Sequence, residues 1–295
     1  MVSPGCLIGF GAVTNEQWDF ISSYDFLETG GRKVIKVLRK IISAFAGIFG
    51  IDIVLARKRH NTDFVFVDRN AVEAFFDKDE YVKLYYEGLY KTGMGDTDNY
   101  FKQCRSYRLQ QMLEHVLKAG LVGNVAECGC WRGHSSYIIS TILARNMFAG
   151  KFNIFDSFEG GLSDKDDQDS NARVNLSEKE IAQEKQNFAS TEMDLHQALK
   201  DFEFYKLYRG WIPEKFNEVE DEQFIFVHID VDLYQPILDS LEFFYPRMKK
   251  GGVIILDDYG YTQFPGAKTS VDEFLARNSY SMYLAELTGG SILIK

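Results

Sequence analysis

Val125-Ala126-Glu127-Cys128-Gly129-Cys130-Trp131-Arg132-Gly133-His134-Ser135-Ser136 reads as a short apolar strand, a turn holding two glycines, and the entry to an apolar helix over 137–143. Glycine at such a junction lets backbone approach a ligand closely, and a helix start offers unpaired N–H groups to an anion. A nucleotide or an amino-acid carboxylate suits this turn. From residue 125 onward short apolar runs alternate with longer amphipathic stretches. The runs at 125–128, 151–155, 204–208, 224–229 and 253–256, with a last pair near 282–287 and 291–294, predict strands, and the stretches between them predict helices. Such alternation is the pattern of an α/β domain built on a mostly parallel sheet.

The strand ends carry the chemistry. The second run closes on Ile154-Phe155-Asp156-Ser157-Phe158-Glu159-Gly160, and an acid at that place in a doubly wound fold hydrogen-bonds ribose hydroxyls. Asp230 ends the run Phe224-Ile225-Phe226-Val227-His228-Ile229, and Asp257-Asp258 ends Val253-Ile254-Ile255-Leu256. Three acids are thereby expected at one sheet edge, where a hard divalent cation would neutralise them. Asp232 shares a side with Asp230 if the strand continues. His228, inside an apolar strand, is expected as a hydrogen-bonded core residue.

Composition bounds the rest. A chain of 295 residues with 45% hydrophobic and 26% charged residues holds one good-sized core plus an extension. The formal net charge of −10 repels a phosphate backbone, which argues against a nucleic-acid partner. Cys128 and Cys130 share one short element in which a mutual disulfide would be strained, and no second Cys or His pair lies near enough in sequence to complete a zinc site. Reduced thiols and a cytoplasmic location are expected. Met1-Val2-Ser3-Pro4 lacks a basic stretch followed by an apolar core, so secretion is not expected. Leu7-Ile8-Gly9-Phe10-Gly11-Ala12 half resembles a dinucleotide fingerprint, but without a preceding strand or a third glycine it reads as a loop or short strand.

Residues 1–99 are expected to form a largely helical extension that caps the site or builds the interface of a homo-oligomer. Arg32, Lys33, Lys36, Arg39, Lys40, Arg57, Lys58 and Arg59 flank an apolar stretch too short to cross a bilayer. It reads as a helix packed on the domain or in a dimer interface, with peripheral contact to an anionic membrane through 33–59 as the alternative. Helical spacing of Val72, Phe75 and Phe76, then of Leu109, Met112, Leu113, Val116 and Leu117, predicts two helices within 71–119, broken at Gly93-Met94-Gly95-Asp96 and stopped by Gly120 and Gly123. The acid-rich stretch 163–200 has no strand signal and reads as a loop followed by a helix.

Six motifs in order carry a resemblance. Glu127-Cys-Gly129-Cys-Trp131-Arg132-Gly133, Asp156-Ser157-Phe158-Glu159-Gly160, Gly210-Trp211-Ile-Pro213, His228-Ile-Asp230-Val-Asp232-Leu-Tyr234, the pair Tyr245-Pro246 with Gly251-Gly252, and Asp257-Asp258-Tyr259-Gly260 look like the macrocin O-methyltransferase family. The resemblance covers roughly residues 105–275. It implies a Rossmann-like class I methyltransferase domain over 100–295 that uses S-adenosylmethionine and magnesium to methylate a hydroxyl, commonly on a sugar of a glycosylated natural product. It makes Asp230, Asp257 and Asp258 the metal ligands and Asp230 also the general base, with Asp232 as its competitor. Glu127, Gly129, Trp131 and Gly133 would line the methionine end of the donor, Asp156 and Ser157 its ribose and adenine side, and Gly210 and Trp211 the adenine. The acceptor would be a small molecule or glycan with a free hydroxyl. His134, in place of a small residue, the acidic insert 163–200 and the first hundred residues depart from the pattern.

Two other readings compete. Asp230-Val231-Asp232 is also the Asp-x-Asp of a metal-dependent glycosyltransferase, but the Glu127–Gly133 turn and the Asp257-Asp258 pair have no task there. A non-catalytic scaffold is expected to lose the metal carboxylates, and all three are present.

Overall fold

The computed structural model describes residues 51–54, 65–68, 80–159, 161–165, 167–169 and 178–295. The chain divides into two compact units, Met1–Asp77 and Lys78–Lys295. In the first, strands β1 (Ile51–Val54) and β2 (Val65–Asp68) pair antiparallel. The basic segment 33–59, apart from β1, lies outside the described residues, as do the glycine-rich start and the apolar positions at 72–76.

The second unit opens with helices α1 (Glu80–Lys91) and α2 (Tyr100–Lys118), the latter capped by the Asn99 side chain, which accepts from Lys102 N at 2.9 Å. The expected boundary at 99/100 falls between them. Then follow β3 (Asn124–Cys128), α3 (His134–Arg145), β4 (Phe152–Asp156), α4 (Glu178–Asn187), α5 (Glu192–Ala198), β5 (Tyr205–Arg209) and β6 (Phe224–Ile229). The chain ends with α6 (Tyr234–Arg247), β7 (Met248–Leu256), α7 (Pro265–Arg277), β8 (Met282–Ala285) and β9 (Ser291–Ile294). The seven strands β3 to β9 form one sheet in the order β5-β4-β3-β6-β7-β9-β8; the first five run parallel, and β9 is antiparallel to both its neighbours.

Both faces of this sheet are covered, so its central strands read as unbroken apolar runs: all six residues of β6 are buried. Successive residues alternate between two cores. Val125, Ile154, Phe226 and Val253 face a cluster with α2, α3 and α5, while Ala126, Phe155, Val227 and Ile254 face one with α6 and α7. Two corrections follow. Strand β7 begins at Met248, ahead of the expected 253, because Gly251 takes φ +81 and lets the chain irregularly continue the pairing with Phe224. The acidic insert holds two helices rather than one: Thr191 and Asp194 form a reciprocal capping box that starts α5.

His134, the departure noted in the turn, ties α1 to α3. Its Nε2 lies 3.1 Å from the carbonyl oxygen of Tyr85, its ring meets the Tyr85 ring edge-on at 5.1 Å, and a Cβ at Gly88 would sit 2.9 Å from its Cδ2. The ring is 6% exposed, and burial together with the charge of Lys102 lowers its pKa to about 4. The folded protein therefore holds a neutral imidazole that donates from Nε2. The unfolded chain takes up a proton near pH 6.5, so this stabilisation is full above that value and is lost as pH falls toward about 4, where both states carry the proton. The expected loss is up to about 3 kcal/mol. Urea unfolding of His134→Gln between pH 7 and 4.5 should show a shallower acid slope than the parent protein; equal slopes would remove His134 as the cause.

Candidate active site

The order of the sheet reverses between β3 and β6, and in parallel α/β sheets the crevice at the carboxyl ends of such a strand pair is where ligands bind. The ladder runs past the strands here. Asp230 N donates to Cys128 O at 2.9 Å, Gly129 N to Phe155 O at 2.8 Å and Asp257 N to Ile229 O at 2.9 Å. Gly129 has φ +80, and a Cβ there would strike the carbonyl oxygen of Asp230. Only glycine allows the turn to leave β3 this close to β6.

Above it opens a cavity of about 330 Å³. Gly129, Trp131, Asp156, Ser157, Gly210 and Trp211 line it together with Asp230 and Asp232, and Leu162 with Ser163, Asp164 and Phe188 of the acidic insert closes one wall. Asp156 fastens the turn: its Oδ2 accepts from Cys130 N at 2.9 Å and Trp131 N at 3.1 Å, and its Oδ1 from Phe158 N at 3.1 Å. These bonds hold Trp131 at φ 47, a conformation that strains a bulky residue by about 1–3 kcal/mol. Trp211 Nε1 donates to Glu159 at 3.0 Å on the rim.

Glu127 and Gly133, expected beside the donor, do not line this cavity. Gly133 packs on Leu195 and Ala198 of α5. Glu127 is wholly buried, accepting from Ser136 Oγ and lying 3.0 Å from His228 Nδ1, because the β3–β6 register sets Glu127 directly beside His228.

The same alternation places Glu127, His228, Asp230 and Asp257 on the face that looks to α2. One donor atom each of His228, Asp230 and Asp257 lies within 4.8 Å of the others. Asp258 turns to the loop after β6, accepting from Asp232 N at 2.9 Å through Oδ2. From α2 come residues the apolar spacing concealed. Arg105 donates to Asp257 Oδ2, and Arg108 donates to Asp257 Oδ1 at 2.7 Å and to Glu286 at 2.7 Å. Their signal is the spacing Lys102-x-x-Arg105-x-x-Arg108, which sets three cations along one helix face.

The charges respond to one another. Burial works to raise the Asp257 carboxyl, but Arg105, His228 and Arg108 hold it well below the usual range. Asp230 is pushed up to about 6 by burial and by Asp257. Asp258 is raised well above its ordinary value by burial, Asp232, Asp230 and Asp257. Burial alone would lower His228, yet Asp257, at 3.9 Å, and Glu127 raise it to about 10, so it is an imidazolium. A second, smaller cavity of about 80 Å³ is walled by Lys102, Arg105, Ser106, Ser135 and His228. Trp131 and Asp230 line both cavities.

Known proteins share this architecture. The chain is 29% identical over 192 residues to 8-demethyl-8-(2,3-dimethoxy-alpha-L-rhamnosyl)-tetracenomycin-C 4'-O-methyltransferase of Streptomyces olivaceus, covering 62% of this chain and 70% of that protein. It is 27% identical to mycinamicin III 3''-O-methyltransferase of Micromonospora griseorubida over 62% of this chain and 72% of that one. The solved structure of the O-methyltransferase NovP superposes with a TM-score of 0.54 at 23% identity, over 64% of this chain and 78% of that chain, a likeness of fold. The profile of Macrocin-O-methyltransferase (TylF) matches residues 100–289. The chain belongs to that family and is an S-adenosylmethionine-dependent O-methyltransferase.

Proposed function

We propose that this cytoplasmic enzyme transfers the donor methyl group to a hydroxyl of a sugar, in a glycosylated natural product or a glycan, and that Asp230, Asp257 and Asp258 hold a magnesium ion while it does so. The observation that carries the reading is Asp230 on the shared wall of both cavities, between the crevice at the strand switch and the cationic chamber under α2. The two relatives compared above are named for O-methylation, the first on a rhamnosyl-tetracenomycin, and their likeness supports a sugar acceptor.

The donor set suits a hard cation. Donor atoms of Asp230, Asp257 and His228 lie within 4.8 Å of one another, and burial together with Asp232, Asp230 and Asp257 raises the neighbouring Asp258 carboxyl; carboxylate oxygens are the ligands that a hard cation prefers. His228, with Nδ1 3.0 Å from Glu127 and Nε2 3.9 Å from Asp257, links these two carboxylates and would orient Asp257. A bound divalent ion would lower the pKa of an acceptor hydroxyl and fix its place.

The chain's own residues do the rest. The carboxylate of Asp156 accepts three backbone N–H bonds, two of them on Oδ2, and Oδ1 has one lone pair left for a ribose hydroxyl. Trp211, Phe188 and Leu162 give the 330 Å³ cavity an apolar wall for an adenine ring and exclude water from the sulfonium. Asp230, poised by burial rather than solvated, takes the hydroxyl proton as the O–CH3 bond forms, and the donor's positive charge is discharged in the transfer.

Three outcomes test this. Asp257→Ala, or chelation by EDTA, should abolish turnover while calorimetry still registers donor binding; full turnover without metal would exclude the ion. Trp211→Ala should weaken donor binding about tenfold by calorimetry, with unchanged affinity removing the adenine contact. The base must be ionised, so kcat/KM should fall with acid below about pH 6, and further cationic charge beside Asp230 only moves this limb lower. An acid limb above pH 7 would assign the proton to another group.

A further inference from the structure

Asp257 carries two guanidinium partners from one helix, and they are held differently. Arg108 is locked: its side chain is 6% exposed, it bridges Asp257 and Glu286 at 2.7 Å each, and Gly290 leaves room for it where a Cβ would collide with its guanidinium. Arg105 is not. Its side chain is 20% exposed, and Asp257 is its one ion-pair partner among the described residues. Its guanidinium stands over the Tyr261 ring at 5.2 Å, on the wall of the smaller cavity that Asp230 and Asp257 also line. One cation on Asp257 is thus structural, and the other borders open space.

We infer that Arg105 is a resident counter-cation that a divalent ion must displace from Asp257, so that this arginine sets how tightly the site binds metal. The inference rests on the magnesium site proposed above. Asp257 and Asp258 are buried where water solvates a charge poorly, and Arg105 helps to neutralise Asp257 there. An arriving dication brings like charge against the guanidinium and claims the same carboxylate, and of the two arginines only Arg105 can yield without breaking a second buried pair. Arg108 stays on Asp257 and keeps the carboxylate aimed as the ion enters.

The test is manganese binding to the full chain, followed by electron paramagnetic resonance of the free ion, without donor or acceptor. Arg105→Gln should bind Mn2+ about tenfold tighter than the parent protein, because the competing charge is gone. Arg105→Lys, which retains it, should stay within about threefold of the parent. Arg108→Gln should not tighten binding. A general loosening of the fold weakens metal binding rather than tightening it, so the sign of the Arg105→Gln change separates competition from structural damage. Unchanged or weaker binding by Arg105→Gln, with circular dichroism and thermal melting intact, would overturn the inference and leave the metal site standing. If neither parent nor Arg105→Gln binds Mn2+, both the ion site and the inference fall.

Discussion

The nearness of two parallel strands governs this molecule. Strands β3 and β6 lie side by side with their neighbours on opposite flanks, and the ladder continues one residue beyond each, so that Asp230 hangs from the carbonyl of Cys128. Gly129 must therefore be glycine, since any side chain would meet the Asp230 carbonyl. The crevice, the half-buried turn and the carboxylate at its floor are consequences of that approach. A ligand at this edge meets backbone and acid together.

The second determinant is electrostatic. Five acids, Glu127, Asp230, Asp232, Asp257 and Asp258, crowd the carboxyl ends of three strands, all but Asp230 below one-tenth exposed. Water reaches the four buried ones poorly, so the fold supplies cations: His228 from within the sheet, Arg105 and Arg108 from α2. The arrangement leaves Asp257 over-neutralised while Asp230 and Asp258 lean toward their protonated forms. A site with this imbalance is suited to exchange charge with a ligand.

Helix α2 links the two. It packs on the sheet through Leu109, Leu113 and Val116 while its other flank reaches the carboxylates, so the helix that closes one core also completes the active site. His134 fastens α1 to the start of α3, next to the turn, which gives the departure from a small residue a structural purpose.

Much of this was legible in the chain. The apolar runs ended in Asp156, Asp230 and Asp257 because parallel strands deliver their last residues to one edge, and the glycine turn after β3 announced close approach; six of the eight residues expected around the donor line one cavity. Other features were hidden for physical reasons. The start of β7 was hidden by Gly251, and the capping box at Thr191 was readable but lay inside an acidic stretch that resembled a loop. Glu127 and Gly133 share the turn's motif, yet strand register put the first beside His228 and helix packing turned the second to α5. The sequence by itself determined the alternation of strands and helices, the turn and the acids at the strand ends, because those depend on local period and on backbone sterics. Only the tertiary structure decided which acids converge, which cation each one meets and that Arg105 and Arg108 belong to the site, because those pairings join residues some 150 positions apart and depend on how a helix lies across a sheet.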